Sequence, residues 1–139
     1  MAARSCRAAV RRAARSCPLK ACLASTPKIE IIRKRADFLA VAASGKKWVA
    51  PGFILQIGAA HDPAPAIRYG LTASRKVGNA VTRNRAKRRL RALAAELLPY
   101  ATSEHDYVLI ARDMTPVLPF DAMRQDMVKG MKRMKVWRD

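Results

Sequence analysis

The period of the apolar positions changes several times along the chain. Ala36, Leu39 and Ala43 recur at helical spacing, with Phe38, Val41 and Ala42 beside them. This predicts a first helix across Ile29 to Ser44, with Gly45 placed to stop it. After Pro51-Gly52 the period falls to two. Phe53, Leu55 and Ile57 alternate with Ile54, Gln56 and Gly58, which predicts a strand. His61-Asp62-Pro63-Ala64-Pro65 reads as a loop, because two prolines exclude a regular ladder. A second strand follows, with Tyr69, Leu71 and Ala73 on one face and Arg68, Gly70, Thr72 and Ser74 on the other. These two strands are placed to pair antiparallel across the loop.

From 79 to 98 the helical period returns. Ala86, Leu90, Leu93 and Leu97 form one stripe, widened by Ala94, with Asn79 placed to cap the start and Pro99 the end. Asp106 to Arg112 is apolar on both faces, which predicts a central, buried strand. Pro116 and Pro119 bracket a link, and a last helix begins near Phe120. Its Met123, Met127, Met131 and Met134 fall on one stripe and read as core packing. No internal repeat is evident. The order helix, strand, strand, helix, strand, helix places the chain in the α+β class, with helices packed on a sheet.

Residues 1–27 stand outside this pattern. They are rich in Ala, Arg and Ser, and the first acid of the chain is Glu30. Two readings stay open for them, an organelle transit peptide or a disordered basic extension, with the folded domain at 28–139. Cys6, Cys17 and Cys22 all lie in this segment and make no disulfide framework. His61 and His105 have no partners at zinc-ligand spacing, and no apolar run is long enough to span a membrane. No glycine-rich phosphate loop or nucleophile elbow is present.

Composition sharpens the picture. In 139 residues, 28 Lys and Arg stand against 10 Asp and Glu, for a net charge of +18. Such an excess implies a polyanionic partner. Aromatics are only 6%, so the core has to be aliphatic and methionine-rich. The charge is concentrated. Arg68, Arg75, Lys76, Arg83, Arg85, Lys87, Arg88, Arg89 and Arg91 follow one another with no acid between Pro63 and Ala95. A solvated helix relieves such repulsion with acids at i,i+4; this one does not, and phosphates would supply the missing counter-charge. Arginine dominates, and its planar fork suits phosphates and exposed bases of folded RNA.

The run Ser74-Arg75-Lys76-Val77-Gly78-Asn79-Ala80-Val81-Thr82-Arg83-Asn84-Arg85-Ala86-Lys87-Arg88-Arg89-Leu90-Arg91 resembles the signature of the bacterial ribonuclease P protein family, with Arg83-Asn84-Arg85 at the position of its RNR motif. Arg35-Ala36-Asp37-Phe38 is similar to its first-helix signature. Tyr69 to Ser74 and Asp106 to Arg112 are similar to the strands on either side of the basic helix. The resemblance spans roughly residues 28 to 135. It implies a small α/β sandwich with a mixed four-stranded sheet, like that of a ribosomal protein domain, and a left-handed β-α-β crossover. It also implies a function. The chain would be the protein subunit of a ribonucleoprotein endonuclease whose RNA is the catalyst and which removes the 5′ leader of precursor tRNA. Mg2+ would be held mainly by the RNA subunit and the substrate. The expected partners are the ribonuclease P RNA and precursor tRNA, with no membrane and no obligate protein partner, in the bacterial cytoplasm.

Carried over residue by residue, the resemblance assigns Arg75, Lys76, Asn79, Arg83, Asn84, Arg85, Lys87, Arg88, Arg89 and Arg91 to the catalytic RNA. It assigns Phe38, Phe53 and Gln56 to a cleft for the single-stranded leader. Asn79 has a second reading as a helix cap, and Phe38 and Phe53 as core. Ala42 and Gln56 stand where the family commonly carries aromatics, which predicts weaker stacking on the leader. Trp48 and Trp137 match nothing in the resemblance. The acids are scattered and form no metal-binding motif, so no catalytic or metal-ligating residue is assigned to this chain. Three other classes compete: a ribosomal-type binding protein, a DNA-binding protein, and a nuclease acting without RNA. The RNR run favours the RNA-partnered subunit over the first. The chain has no leucine heptads and no second recognition helix to support the second, and the acid distribution disfavours the third.

Overall fold

A computed structural model describes residues 28–59 and 66–138. The extension at 1–27 and the loop at 61–65 lie outside the described residues. The elements run β1 (Ile29–Ile31), α1 (Arg35–Ala43), β2 (Lys46–Val49), β3 (Phe53–Ala59), β4 (Ile67–Ala73), α2 (Ala80–Leu97), β5 (His105–Ala111) and α3 (Phe120–Arg133). Single 3-10 turns at Arg75–Val77 and Leu98–Tyr100 flank α2. The sheet order is β1-β4-β5-β3-β2.

The mixed sheet packed with helices is as the sequence predicts, but it has five strands rather than four. The first helix starts later than Ile29. Ile29–Ile31 is instead an edge strand parallel to Ile67–Tyr69, as suits a β-branched stretch. At the other edge, Gly45 takes φ +70° and ends α1, turning the chain into β2, which pairs antiparallel with β3. The expected pairing of the strands at 53–59 and 67–73 is also corrected. β5 lies between them, antiparallel to β3 and parallel to β4. An apolar strand gains most by covering both faces at the centre, and β5 is such a strand. A parallel β4–β5 pair needs a crossover, and α2 supplies it.

The sheet separates two unequal cores. On one face Phe53, Leu55, Ile57, Ile67, Tyr107 and Leu109 meet the α2 stripe of Ala86, Leu90, Leu93 and Leu97. They also meet Met123, Met127 and Met131 of α3, all fully buried, whereas Met134 is half-buried. The methionines are thus core, as their spacing predicts. Ion pairing of Arg124 with Glu96 joins α3 to α2.

On the opposite face, among the described residues, lies α1 alone, over a small core of Ile32, Val41 and Val108, with Phe38 and Ile110 packed against it. Two glycines let it lie directly on the strands. A Cβ at Gly58 would come within 2.8 Å of the Val41 backbone, and one at Gly70 within 2.4 Å of the Phe38 ring. Arg68, projecting from β4, bonds Asp37 of α1 at 2.9 Å and Asp106 of β5 at 3.1 Å. Asp37 thus ties the helix to the sheet. At its other end the Ser44 hydroxyl lies 2.6 Å from the Ile57 carbonyl oxygen.

Candidate nucleic-acid interface

Helix α2 begins where β4 ends, so the 3-10 turn and the first turns of the helix stand at one pole of the sheet. Arg75 and Lys76 are exposed on that turn. Asn79 occupies the N-cap position, but its side chain makes no capping bond; only its carbonyl accepts, from the Arg83 N–H at 2.9 Å. The structural reading of Asn79 therefore holds for its backbone, and the exposed amide stays open to a ligand.

The stripe that buries α2 leaves its cations on two flanks. One flank carries Asn84, Arg85, Arg88 and Arg89, which with Val81, Ala92 and Phe120 line a 660 Å3 groove. Asn84, Arg85 and Arg88 are exposed. Arg89 is half-buried and donates to the carbonyl oxygens of Thr115, at 2.7 Å, and Leu118. Its first task is to brace the 112–119 link. That link is also pinned by the Thr115 hydroxyl, which donates to the Gly52 carbonyl and accepts from the Arg112 N–H at 2.8 Å. The other flank carries Arg83, Lys87 and Arg91, with Arg91 exposed and the other two half-buried.

Lys87 reaches a second hollow. Because β1 covers β4 only as far as Tyr69, the edge at Leu71–Ala73 has no strand beside it among the described residues. There Arg33, Arg35, Phe38, Leu71, Thr72, Ala73 and Lys87 border a shallow, open hollow of 460 Å3. Thr72 pairs in register with Ile110, and Ile110 with Ile54. Beyond that row Ile54 and Ile110 line a further 340 Å3 hollow with Ser74, Lys76, Arg112 and Asp113. The uncovered end of the α1 face is therefore an apolar floor with Phe38 as its wall and cations around it. Such a surface can take a single strand, bases on the floor and phosphates at the rim.

Of the expected cleft residues, Phe38 stands at this wall. Gln56 is half-buried on the same face, one row further under α1, in register with Val108. Phe53 is corrected: it is fully buried on the opposite face, within the main core. Strand alternation already opposes Phe53 to Gln56, so the two cannot line one cleft. The β3 residue that does reach the hollow is Ile54. Arg33, Arg35 and Arg112 also belong to the rim and were not singled out from sequence. Their signal was positional, since Arg35 opens α1 and Arg112 follows β5.

Among the described residues no three His, Cys, Asp or Glu side chains converge on a point that could hold a metal ion. Asp37 and Asp106 share Arg68 between them, and Glu96 and Asp121 share Arg124. The described residues thus offer no cluster of three such ligands to Mg2+. No helix among the described residues is long and apolar enough to cross a membrane.

Comparison with known proteins agrees with this geometry. The family model described as Ribonuclease P matches residues 26–135. The ribonuclease P protein component of Paramagnetospirillum magneticum is 46% identical over 110 residues, covering 76% of this chain and 83% of the relative. That of Erythrobacter litoralis is 44% identical over 110 residues, covering 78% and 88%. Among solved structures, the RNase P protein of Staphylococcus aureus superposes with a TM-score of 0.66 at 25% identity, covering 78% of this chain and 97% of that one. The RNase P protein from Thermotoga maritima gives 0.62 at 25% identity, covering 73% and 94%.

Proposed function

The chain belongs to the ribonuclease P protein family, whose role lies in processing the 5′ end of tRNA, and from that premise we propose a division of labour between its two surfaces. α2 and the turn before it bind the catalytic RNA. Arg75, Lys76, Arg83, Arg85, Lys87, Arg88 and Arg91 meet phosphates, Arg89 braces the surface, and Asn79 and Asn84 meet base edges or 2′-hydroxyls. The open end of the α1 face binds the 5′ leader of precursor tRNA against Phe38. Mg2+ acts in the RNA subunit and the substrate, and this chain raises substrate binding without supplying a reacting group. It works in the bacterial cytoplasm and needs no second protein.

One observation carries the reading. A helix with exposed cations, no acid before Glu96 and a fully buried apolar stripe lies beside a groove that could seat a single strand. Lys87 belongs to both surfaces. In this reading it holds the point where the leader leaves the RNA subunit.

The test is cleavage of precursor tRNA at low Mg2+ by a bacterial ribonuclease P RNA, with and without this protein. Stimulated cleavage at the mature 5′ end, and none by the protein alone, is expected. Cleavage by the protein alone would place catalytic groups in this chain after all. Tight RNA binding without stimulation would favour a ribosomal-type binding role.

A further inference from the structure

The groove between α2 and the start of α3 is more than a phosphate site. A surface that met only phosphates would need cations and nothing apolar. Here Val81 is 80% exposed, on the most basic of the described helices. With the exposed methyl of Ala92 and the ring of Phe120 it forms an apolar part of the lining. Among the described residues no acid lines the groove, and Arg85 and Arg88 are exposed within it. The exposed Asn84 brings an amide able both to donate and to accept.

The apolar wall is also held in place. The Arg89 guanidinium bonds the carbonyls of Thr115 and Leu118, just before Phe120. The Arg124 guanidinium lies 5.9 Å from the centre of the Phe120 ring. A pre-set aromatic and aliphatic lining, an amide and flanking guanidinium groups match the chemistry of one unstacked nucleotide. Its base would lie on Val81, Ala92 and Phe120, and its flanking phosphates on Arg85 and Arg88.

Resting on the RNA-subunit reading above, we propose that this groove receives an unpaired, extruded nucleobase of the RNA bound by α2. Val81, Ala92 and Phe120 are then base-binding residues, and Asn84 meets the edge of that base. Arg89 and Arg124 are positioning residues that hold Phe120.

Two measurements test it on the full chain. In the first, methyl and aromatic NMR signals are followed while a short oligoadenylate, or inorganic polyphosphate of matched charge, is added. The oligoadenylate should shift the Val81 methyls and the Phe120 ring through its ring currents, and polyphosphate should not. Equal shifts with both would overturn the base site. In the second, affinity for ribonuclease P RNA is measured across a salt series. Val81→Ser and Ala92→Gln alter exposed positions and should fold as the parent does. Each should bind about tenfold more weakly, in line with the loss of one stacked base, at an unchanged salt slope. Arg85→Ala should instead flatten the slope. Parent-like affinity in both apolar variants would overturn the inference while leaving the RNA-subunit reading intact. Absence of RNA binding by the parent would overturn both.

Discussion

Gly70 is the residue on which the proposed leader surface turns. It leaves the space in which the Phe38 ring lies, and a Cβ there would come within 2.4 Å of the ring. Gly70→Ala should therefore push Phe38 outward and destabilise the protein by about 1–3 kcal/mol, the usual cost of overpacking. Leader affinity should fall, while affinity for the RNA subunit stays put. Denaturant titration and leader-dependent binding of precursor tRNA check the two halves. Tyr107 sits at the centre of the other core, and its hydroxyl donates to the Thr102 carbonyl at 2.8 Å. Burial pushes that hydroxyl up from 10.0 to about 12. The unfolded chain loses this proton first. The stabilising contribution is therefore complete below pH 10 and declines as pH rises towards 12, by about 2–3 kcal/mol in all. Tyr107→Phe should remove that part of the alkaline slope in unfolding experiments compared with the parent. Neither effect can be read from the sequence alone. A glycine on the polar side of a strand and a tyrosine in an apolar one look ordinary until the register is known.

At the scale of elements, α1 is the described helix held least by hydrophobic contact. Its core is small, and Arg68 supplies the charged bond between helix and sheet. Arg68→Ala leaves Asp106, which is 2% exposed, beside an empty site. It should cost about 3 kcal/mol, at the low end for breaking a buried pair because Arg68 retains some exposure. Hydrogen exchange should show the α1 amides losing protection while those of α2 keep theirs. The elements that the sequence revealed best were those with long, clean periodicity: α2, α3, β3, β4 and β5. The edges were not legible. Ile29–Ile31 is three residues long and borrows its structure from β4, and Lys46–Val49 is a strand only because Gly45 turns it against β3. Sheet order was hidden too, since nothing local tells β3 that its neighbour will be β5. For the site, the basic helix was plain in the sequence because its charge is contiguous. The rim of Arg33, Arg35 and Arg112 was not, because it is assembled from three separate segments.

For the whole molecule, charge is the organising quantity. In the proposed function a chain at +18 would bind RNA by displacing counterions, so affinity should fall steeply and linearly on a logarithmic salt axis. Arg85→Ala with Arg88→Ala should reduce that slope by just under one unit for each phosphate no longer neutralised, as measured by filter binding over a salt series. An unchanged slope would show that these arginines are not phosphate ligands. Removal of residues 1–25 should leave folding and stimulation of cleavage largely intact, since the family match begins at residue 26. Thermal melts and the cleavage assay of the truncated protein decide this.

The methionine stripe has a consequence for the life of the protein under oxidants. Met123, Met127 and Met131 are sealed from solvent, whereas Met114 is 43% exposed. Peroxide should thus convert Met114 to the sulfoxide early and leave the three buried thioethers untouched while the fold holds. A chain attacked before it folds would carry polar sulfoxides into the space between α2, α3 and the sheet, and would not close. Oxidation of those three sulfurs is accordingly a record of having been unfolded.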